Sequence, residues 1–422
     1  MATDAKRLVA EAMLGALPLP AGEAGWARDV RAKARTRFLE AGGPVRRDEY
    51  WKYTDPGRLT EPAAPMAEAE APALTNPFDG IAARVARFVN GKARPDLSDD
   101  LVQPGLAVQP LAEVLAQDIG IARSVFGVLE EAGQEKVSRP LAALNTASAV
   151  QGLAMQATGA VEAPILLTHD QIGEGASLLR HVIRVESGAS LTILECGVPT
   201  NTVMEVDVAD GGSFHHVRLQ TGPRQPAATH LFARIGAEAS LKSFTLTADG
   251  ALTRNEAVLE MAGDHGSGHV AGAVVGQERA HIDNTVFITH SATHCESRQV
   301  FKNVLAGRAR AVFQGKIFVR PGAQKTDGYQ ISQSVLLEDG AEFLVKPELE
   351  IYADDVACSH GSTTGNLDEL ALFYLRARGV PLRVAQAMLV EAFLDEAIEE
   401  IEDETLADAV RSAVSAWMVA RA

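Results

Sequence analysis

A chain of 422 residues is long enough, at about 150 residues per domain, for two or three domains or for one long repetitive domain. Hydrophobic residues make up 46% and charged residues 22% of it, which excludes a largely disordered or collagen-like chain. With 55 acidic against 39 basic residues the net charge is −16, which argues against a nucleic-acid-binding groove and against an anionic membrane surface as a partner.

The beginning of the chain does not resemble a secretory leader. Asp4 and Lys6 interrupt the stretch that a signal peptide keeps apolar, and no window holds the roughly 18 consecutive apolar residues of a membrane span. Cys196, Cys295 and Cys358 are too few and too scattered for a disulfide framework. We therefore predict a cytoplasmic protein that binds neither membrane nor nucleic acid.

Residues 1–140 are predicted to form an N-terminal helical or mixed domain. Apolar residues recur at three-to-four spacing between Trp26 and Phe38, and Gly42 then ends the predicted helix. Residues 61–77 mix proline, alanine and glutamate without a sustained apolar face, which indicates a linker or surface loop.

A repetitive β domain is predicted for residues 141–365. Short runs of alternating apolar and polar residues are separated by glycine turns, of which Gly188, Gly212 and Gly236 lie 24 residues apart, with later turns spaced less regularly. Because the repeat is short and little helical sequence separates the strands, the pattern favours a parallel β-helix, a form of β-solenoid. An antiparallel sandwich is the alternative.

After Gly365 the apolar period becomes helical, and residues 366–422 are predicted to form a C-terminal helical domain. Asn366 or Asp368 is the expected cap of its first helix. A second helix is predicted at about 382–401, with many acidic residues beside its apolar face. Such a charged face is ordinarily a solvated surface, and it also suits a docking surface.

The common nucleotide-binding and hydrolase motifs do not occur in the chain, so we expect no nucleotide to bind through a phosphate loop. Several histidines cluster within thirty residues, which raises the question of a metal site. On one continuous strand His290 and His294 would share a face while Cys295 pointed away, so we interpret the cluster as surface or stacked histidines. Its members are His265, His269, His281, His290 and His294.

The segment PELEIYADDVACSHGSTTG, residues 347–365, places Cys358 and His360 two residues apart. In an extended segment both side chains face the same side. A thiolate and an imidazole together suit iron or zinc. Spacing alone favours a buried inert thiol with a capping histidine over this metal pair, and it also permits a nucleophilic thiol with its base.

Longer stretches of the sequence resemble the SufB/SufD scaffold proteins of iron–sulfur cluster assembly, and more closely the SufD branch. The resemblance extends over essentially the whole chain in order and spacing. The segments that carry it are EYWKYT (49–54), CESRQVFKNVLAGRARAVFQGKIFV (295–319), QKTDGYQ (324–330), KPELEIYADDVACSHGSTTGNLDE (346–369) and LFYLRARGV (372–380).

The resemblance implies a right-handed parallel β-helix core flanked by N-terminal and C-terminal helical domains. It implies a non-catalytic scaffold that pairs with SufB through the β-helix and binds the SufC ATPase through its C-terminal helices, where we expect Phe373, Tyr374 and Arg378 to make contacts. His360 matches the family histidine thought to help hold a nascent cluster at the SufB interface, and Cys358 matches the cysteine two residues before it.

The implied cofactor is a transient iron–sulfur cluster shared with SufB, and the resemblance leaves open a flavin in the assembled complex. Without SufB we expect the pairing surface to close on a second copy as a homodimer. The rival hypotheses are a β-helix enzyme, which acts on a polysaccharide or uses Cys358 and His360 as nucleophile and base, and a solenoid interaction protein without metal chemistry.

Overall fold

In the computed structural model, which describes residues 3–118, 120–221 and 225–419, the chain is mainly β. Its strands coil into a β-solenoid with helices before and after it, which confirms the predicted fold class. Within the described residues, every helix is too short or too polar to cross a lipid bilayer.

The solenoid is built from two sheets, and from β4 onward successive strands of the chain alternate between them. In one sheet the spatial order is β19-β17-β15-β13-β11-β9-β7-β5-β1-β2, and in the other it is β18-β16-β14-β12-β10-β8-β6-β4-β3. The strands are β1 (Arg84–Val89), β2 (Lys92–Ala93), β3 (Leu106–Pro110), β4 (Leu153–Ala157), β5 (Ile165–Asp170), β6 (Leu178–Val185), β7 (Ser190–Gly197), β8 (Asn201–Val208), β9 (Ser213–Thr221), β10 (Pro226–Ile235), β11 (Ser240–Ala248), β12 (Leu252–Met261), β13 (Ser267–Gly276), β14 (His281–His290), β15 (Glu296–Leu305), β16 (Arg310–Val319), β17 (Asp327–Leu336), β18 (Glu342–Ile351) and β19 (Ala357–Gly365).

Neighbouring strands run parallel, except where β2 pairs with β1 and β3 with β4. Ser213 pairs with Ser240 and Ser240 with Ser267, so equivalent positions stack directly from turn to turn. Parallel neighbours need a crossover through the other sheet, which is how a solenoid is wound. The antiparallel sandwich is therefore wrong for this chain.

The interior of the solenoid is filled by alternate residues of each strand. Apolar side chains such as Ile165, Ile193 and Ile235 are fully buried there. The same interior holds a buried ionic cluster in which Glu195 accepts hydrogen bonds from Arg218 and contacts His169. Despite the cost of burial, Arg218 and the histidines hold the pKa of Glu195 well below its usual value.

Helices cover the outer faces of both sheets. They are α1 (Asp4–Gly15), α2 (Gly25–Ala41), α3 (Leu111–Leu115), α4 (Ala122–Val125), α5 (Val128–Ala132), α6 (Pro140–Ser148), α7 (Glu369–Ala377), α8 (Leu382–Ile398) and α9 (Glu404–Val419), with 3₁₀ turns at Glu49–Trp51, Gly57–Leu59 and Pro95–Leu97. The predicted N-terminal helix is α2, and Gly42 ends it in a positive-φ conformation.

The N-terminal helices pack on the sheet that contains β6 and β8. Arg180 of β6 is fully buried and pairs with Glu205 of β8, whose carboxylate also accepts backbone hydrogen bonds from Gly127 and Glu130. Further along the same sheet, the guanidinium of Arg254 lies against Trp51 of the EYWKYT segment. The guanidinium carbon is 4.1 Å from the centre of the Trp51 ring.

The C-terminal helices α8 and α9 pack on the sheet that contains β13 and β15. Apolar residues of α8 such as Val390 and Leu394 are buried in one cluster with residues of those strands, among them Val300. Lys302 of β15 forms an ion pair with Glu396 of α8 at the edge of this contact. These contacts hold α8 and α9 against the middle of the solenoid.

Candidate functional site at the terminal turn

Cys358 and His360 lie on β19, the last strand of its sheet. Cys358 is in register with Gly328 of β17, and His360 is in register with Gln330. Within the part of the chain that the structure describes, no strand pairs with the outer edge of β19, nor with that of β18 in the facing sheet. The two residues therefore belong to an open end of the solenoid.

Both side chains belong to the inner face of this terminal turn. Cys358 is half-buried and packs in a small apolar cluster with Ile317 and Val319 of β16. A Cβ atom built on Gly328 would approach the sulfur to 3.2 Å, so the sulfur lies directly over that glycine. His360 follows two residues later and is exposed, because no further turn in the described part of the chain covers it.

Burial raises the pKa of the Cys358 thiol above its ordinary value. The backbone hydrogen bond at Gly328 opposes this shift, and the charge of Asp327 adds to it. At neutral pH the sulfur is accordingly a thiol, and it must lose its proton before it can bind a metal ion.

The facing strand β18 presents an incompletely covered apolar surface. Val345 and Leu349 stack on the buried Phe313 and Ile317 of β16, and they are only half-buried because nothing stacks on them in turn. At the corner of the same turn Lys325 pairs with Asp355, at 2.5 Å between Nζ and the carboxylate. An open apolar end with two metal-binding side chain types has the composition of an interface site.

The described residues do not form a complete metal site here. Across residues 3–118, 120–221 and 225–419, no three His, Cys, Asp or Glu side chains lie close enough together to hold an ion. Cys358 and His360 are a pair of ligand types, and a complete tetrahedral set needs more donors than this pair supplies.

The histidine cluster of the sequence does not converge on one point. His265 and His294 stack on adjacent corners, with ring centres 4.7 Å apart, whereas His290 is buried and contacts the hydroxyl of Ser297. The interpretation as stacked histidines is confirmed for the first pair. The assumption of a continuous strand from His290 to Cys295 was wrong, because β14 ends at His290 and His294 has a φ of 57°.

Two residues that the sequence reasoning did not single out support the site from below. Gly328 makes room for the sulfur of Cys358, and Gln330 is completely buried beside His360. Both belong to the QKTDGYQ segment, which was noted only for its resemblance. No signal in the sequence identified them, because the turn spacing is irregular and the register of β19 on β17 is visible only in the folded chain.

A second exposed surface lies on α7, immediately after β19. Phe373 is 71% and Tyr374 55% exposed, and no residue of this helix is buried. Arg378 follows the helix and places its guanidinium 3.5 Å from the ring centre of Tyr374. Asp368 caps the helix by accepting hydrogen bonds from the Leu370 and Ala371 backbone, so the expected cap is confirmed.

A family model described as "SUF system FeS cluster assembly, SufBD core domain" matches residues 167–393. The chain belongs to the SufBD family. The matched region contains most of the solenoid of this SufBD protein, its terminal turn and most of α8. Membership also agrees with the segments that resembled SufD in the sequence.

Relatives of this SufBD protein are named for iron–sulfur cluster assembly. The iron-sulfur cluster assembly protein SufD of Escherichia coli is 29% identical over 388 residues, which cover 88% of each chain. A SufBD family protein of Synechocystis is 26% identical over 410 residues, covering 88% of this chain and 87% of the relative. SufD of Bacillus subtilis is 26% identical over 254 residues, covering 57% and 58%.

Proposed function

We propose that this chain is a cytoplasmic, non-catalytic SufD-type subunit of a SufB–SufC–SufD complex, and that it contributes His360 to the site where an iron–sulfur cluster is assembled. The observation that carries this proposal is the open terminal turn, where the exposed His360 and the half-buried Cys358 share the inner face. The cluster is the cargo of this assembly and leaves it again.

Pairing with SufB would occur through the terminal turn. The outer edges of β18 and β19 expose unpaired backbone groups, and a sheet edge of this kind pairs readily with a strand of another chain. The half-buried apolar face of β18 would be covered by the same contact. In the absence of SufB, a second copy of this chain would take the partner's place and give a homodimer.

In the complex, His360 would be one cluster ligand and Cys358 a second, with the remaining ligands supplied by SufB. Imidazole and thiolate both bind iron. Iron binding at Cys358 would displace the proton that burial retains on the thiol. Because the ligands would come from two chains, a movement of the interface would open the site.

SufC would bind the exposed surface of α7 through Phe373, Tyr374 and Arg378, and the ATPase activity would reside in SufC. Large exposed aromatic residues with an adjacent arginine are the residue types that dominate protein interfaces. Only residues 366–368 join β19 to α7. A movement of α7 driven by ATP would therefore reach β19 and its ligands directly.

The test is anaerobic co-purification of the wild-type chain with SufB and SufC, followed by native mass spectrometry and assays of bound iron and acid-labile sulfide. His360→Ala is expected to leave the complex intact and to lose most of the cluster. His265→Ala, an exposed histidine at a distant corner, serves as the matched control and should retain it. An intact complex with an unchanged cluster would remove His360 from the proposal, and no complex at all would refute the scaffold function.

A further inference from the structure

An internal column of polar side chains ends at His360. Gln299 of β15 is in register with Gln330 of β17, and Gln330 is in register with His360 of β19. Parallel strands lie about 4.8 Å apart, so side chains on one face of successive strands are neighbours. The two amides and the imidazole therefore follow one another along the interior of the last turns.

Neither side-chain amide forms a hydrogen bond within the described residues. Gln299 and Gln330 are both 0% exposed, and within the described residues the oxygen and the nitrogen of each amide have no hydrogen-bond partner. Buried polar groups are almost always hydrogen-bonded, so two adjacent exceptions beside a candidate ligand require an explanation.

The facing sheet confines the amide of Gln330. A Cβ atom built on Gly315 of β16 would come within 2.6 Å of the amide carbon, nitrogen and oxygen of Gln330. The amide therefore packs on the backbone of Gly315, and any larger residue there would displace it. Along the column, the neighbours of this amide are Gln299 on one side and His360 on the other.

We propose that Gln330 is a positioning residue for His360. A rotation of these side chains would let its amide oxygen accept the ring N–H of His360 and its amide nitrogen donate to the amide oxygen of Gln299, as in the amide ladders of stacked strands. One ring nitrogen is then committed to the protein, and the lone pair of the other is directed to the open end. Ligating histidines in proteins are held in this way by a second hydrogen bond.

This inference takes the ligand role of His360 from the proposed function. Its test on the isolated chain does not depend on that function. The tautomer of His360 can be read from two-bond ¹⁵N–¹H spectra of the isolated full-length chain, labelled at histidine, at about pH 8.5 where free imidazole is neutral. His360→Ala identifies the signal. In the wild-type chain we expect one tautomer of His360 to exceed the other about tenfold. The reference is the ratio of the two tautomers of a histidine in a short unstructured peptide.

Gln330→Met keeps the length of the side chain and removes the amide. It is expected to return His360 to the peptide's tautomer ratio and, in the complex with SufB and SufC, to weaken binding of ferrous iron about tenfold. Gln299→Met should have a smaller effect. The control is Ser334→Ala, a buried inner-face position of the same strand that is in register with Thr364 and should leave the tautomer unchanged.

A wild-type ring with the peptide's ratio would overturn the proposal without any variant, and so would a folded Gln330→Met chain with the wild-type ratio. If instead the tautomer responds to Gln330→Met while His360→Ala retains its cluster, the positioning is correct and the ligand assignment is wrong.

Discussion

The sulfur of Cys358 lies directly over Gly328, one turn earlier in the solenoid, where a Cβ atom would approach it to 3.2 Å. The same Cβ atom would come within 3.3 Å of Ile317 on the facing sheet. The position of the thiol is thus determined by the absence of a side chain beneath it. Gly328 leaves the space that the sulfur occupies, and burial of the sulfur raises the pKa of the thiol.

Gly328→Ala is therefore expected to push Cys358 outward. A strand glycine replaced by alanine ordinarily gains about 0.4–1 kcal/mol from the unfolded state, but overpacking of a filled site costs about 1–3 kcal/mol. We expect a net loss of about 1 kcal/mol in the free energy of unfolding, measured with urea. The displaced thiol should also react several times faster with iodoacetamide at neutral pH, because its pKa falls toward the ordinary value.

The matched control is Gly361→Ala on β19, where nothing lies within 4 Å of the new methyl group. It should leave the thiol reactivity unchanged and alter stability by less than about 1 kcal/mol. Equal behaviour of the two variants would show that Gly328 does not determine the position of the sulfur.

The solenoid could be predicted from the sequence because its turns repeat the same physical demand. Every inner position must match the residue one turn away, as the buried column Val206, Ala233 and Leu259 illustrates at spacings of 27 and 26 residues. Corners between strands are less predictable. At His294 a left-handed residue turns the corner in place of the expected strand, as His265 does one turn earlier, and this corner geometry is visible only in the folded chain.

At the terminal turn, the shared face of Cys358 and His360 followed from their spacing alone. Their supports did not, because the repeat length drifts along the chain and the register of β19 on β17 cannot be counted from the sequence. Gln330 therefore gave no signal of lying beside His360. The exposure of His360 likewise depends on the absence of a further stacked turn.

The buried pair Arg180 and Glu205 should be essential for stability. Arg180→Met would leave the carboxylate of Glu205 buried with only its backbone donors, and breaking such a pair costs about 3–5 kcal/mol. Urea unfolding monitored by circular dichroism measures the loss. Arg184→Met on the same strand is the control, since Arg184 is partly exposed and Arg234 also pairs with its partner Asp207. It should cost about 1 kcal/mol or less, and equal losses would contradict the prediction.

His290 makes the stability of the protein depend on pH. Burial lowers the pKa of this histidine from 6.5 to about 4, so between these values the unfolded chain binds a proton that the folded chain does not. Its stabilising contribution is complete above pH 6.5 and is lost as the pH falls toward 4, by at most about 3 kcal/mol.

The difference in unfolding free energy between the wild-type chain and His290→Gln should therefore shrink as the pH is lowered from 6.5 to 4.5, since glutamine takes up no proton. Ser297→Ala removes the hydroxyl partner and keeps the histidine, so its difference from the wild type should stay constant over this range. A constant difference for His290→Gln as well would mean that this histidine has the same pKa in the folded and unfolded chains.

A substitution on the surface of α7 should weaken SufC binding while leaving the stability of the chain nearly unchanged. Because Phe373 is 71% exposed, Phe373→Asp should change the free energy of unfolding by less than about 0.5 kcal/mol. If the side chain is an anchor for SufC, its loss should weaken binding of purified SufC at least about tenfold in calorimetry. Leu8→Asp on α1, where the leucine is 65% exposed, introduces the same charge on another helix and should leave SufC binding unchanged. Equal affinities for both variants would move the SufC contact away from α7, and equal losses would indicate a general effect of charge.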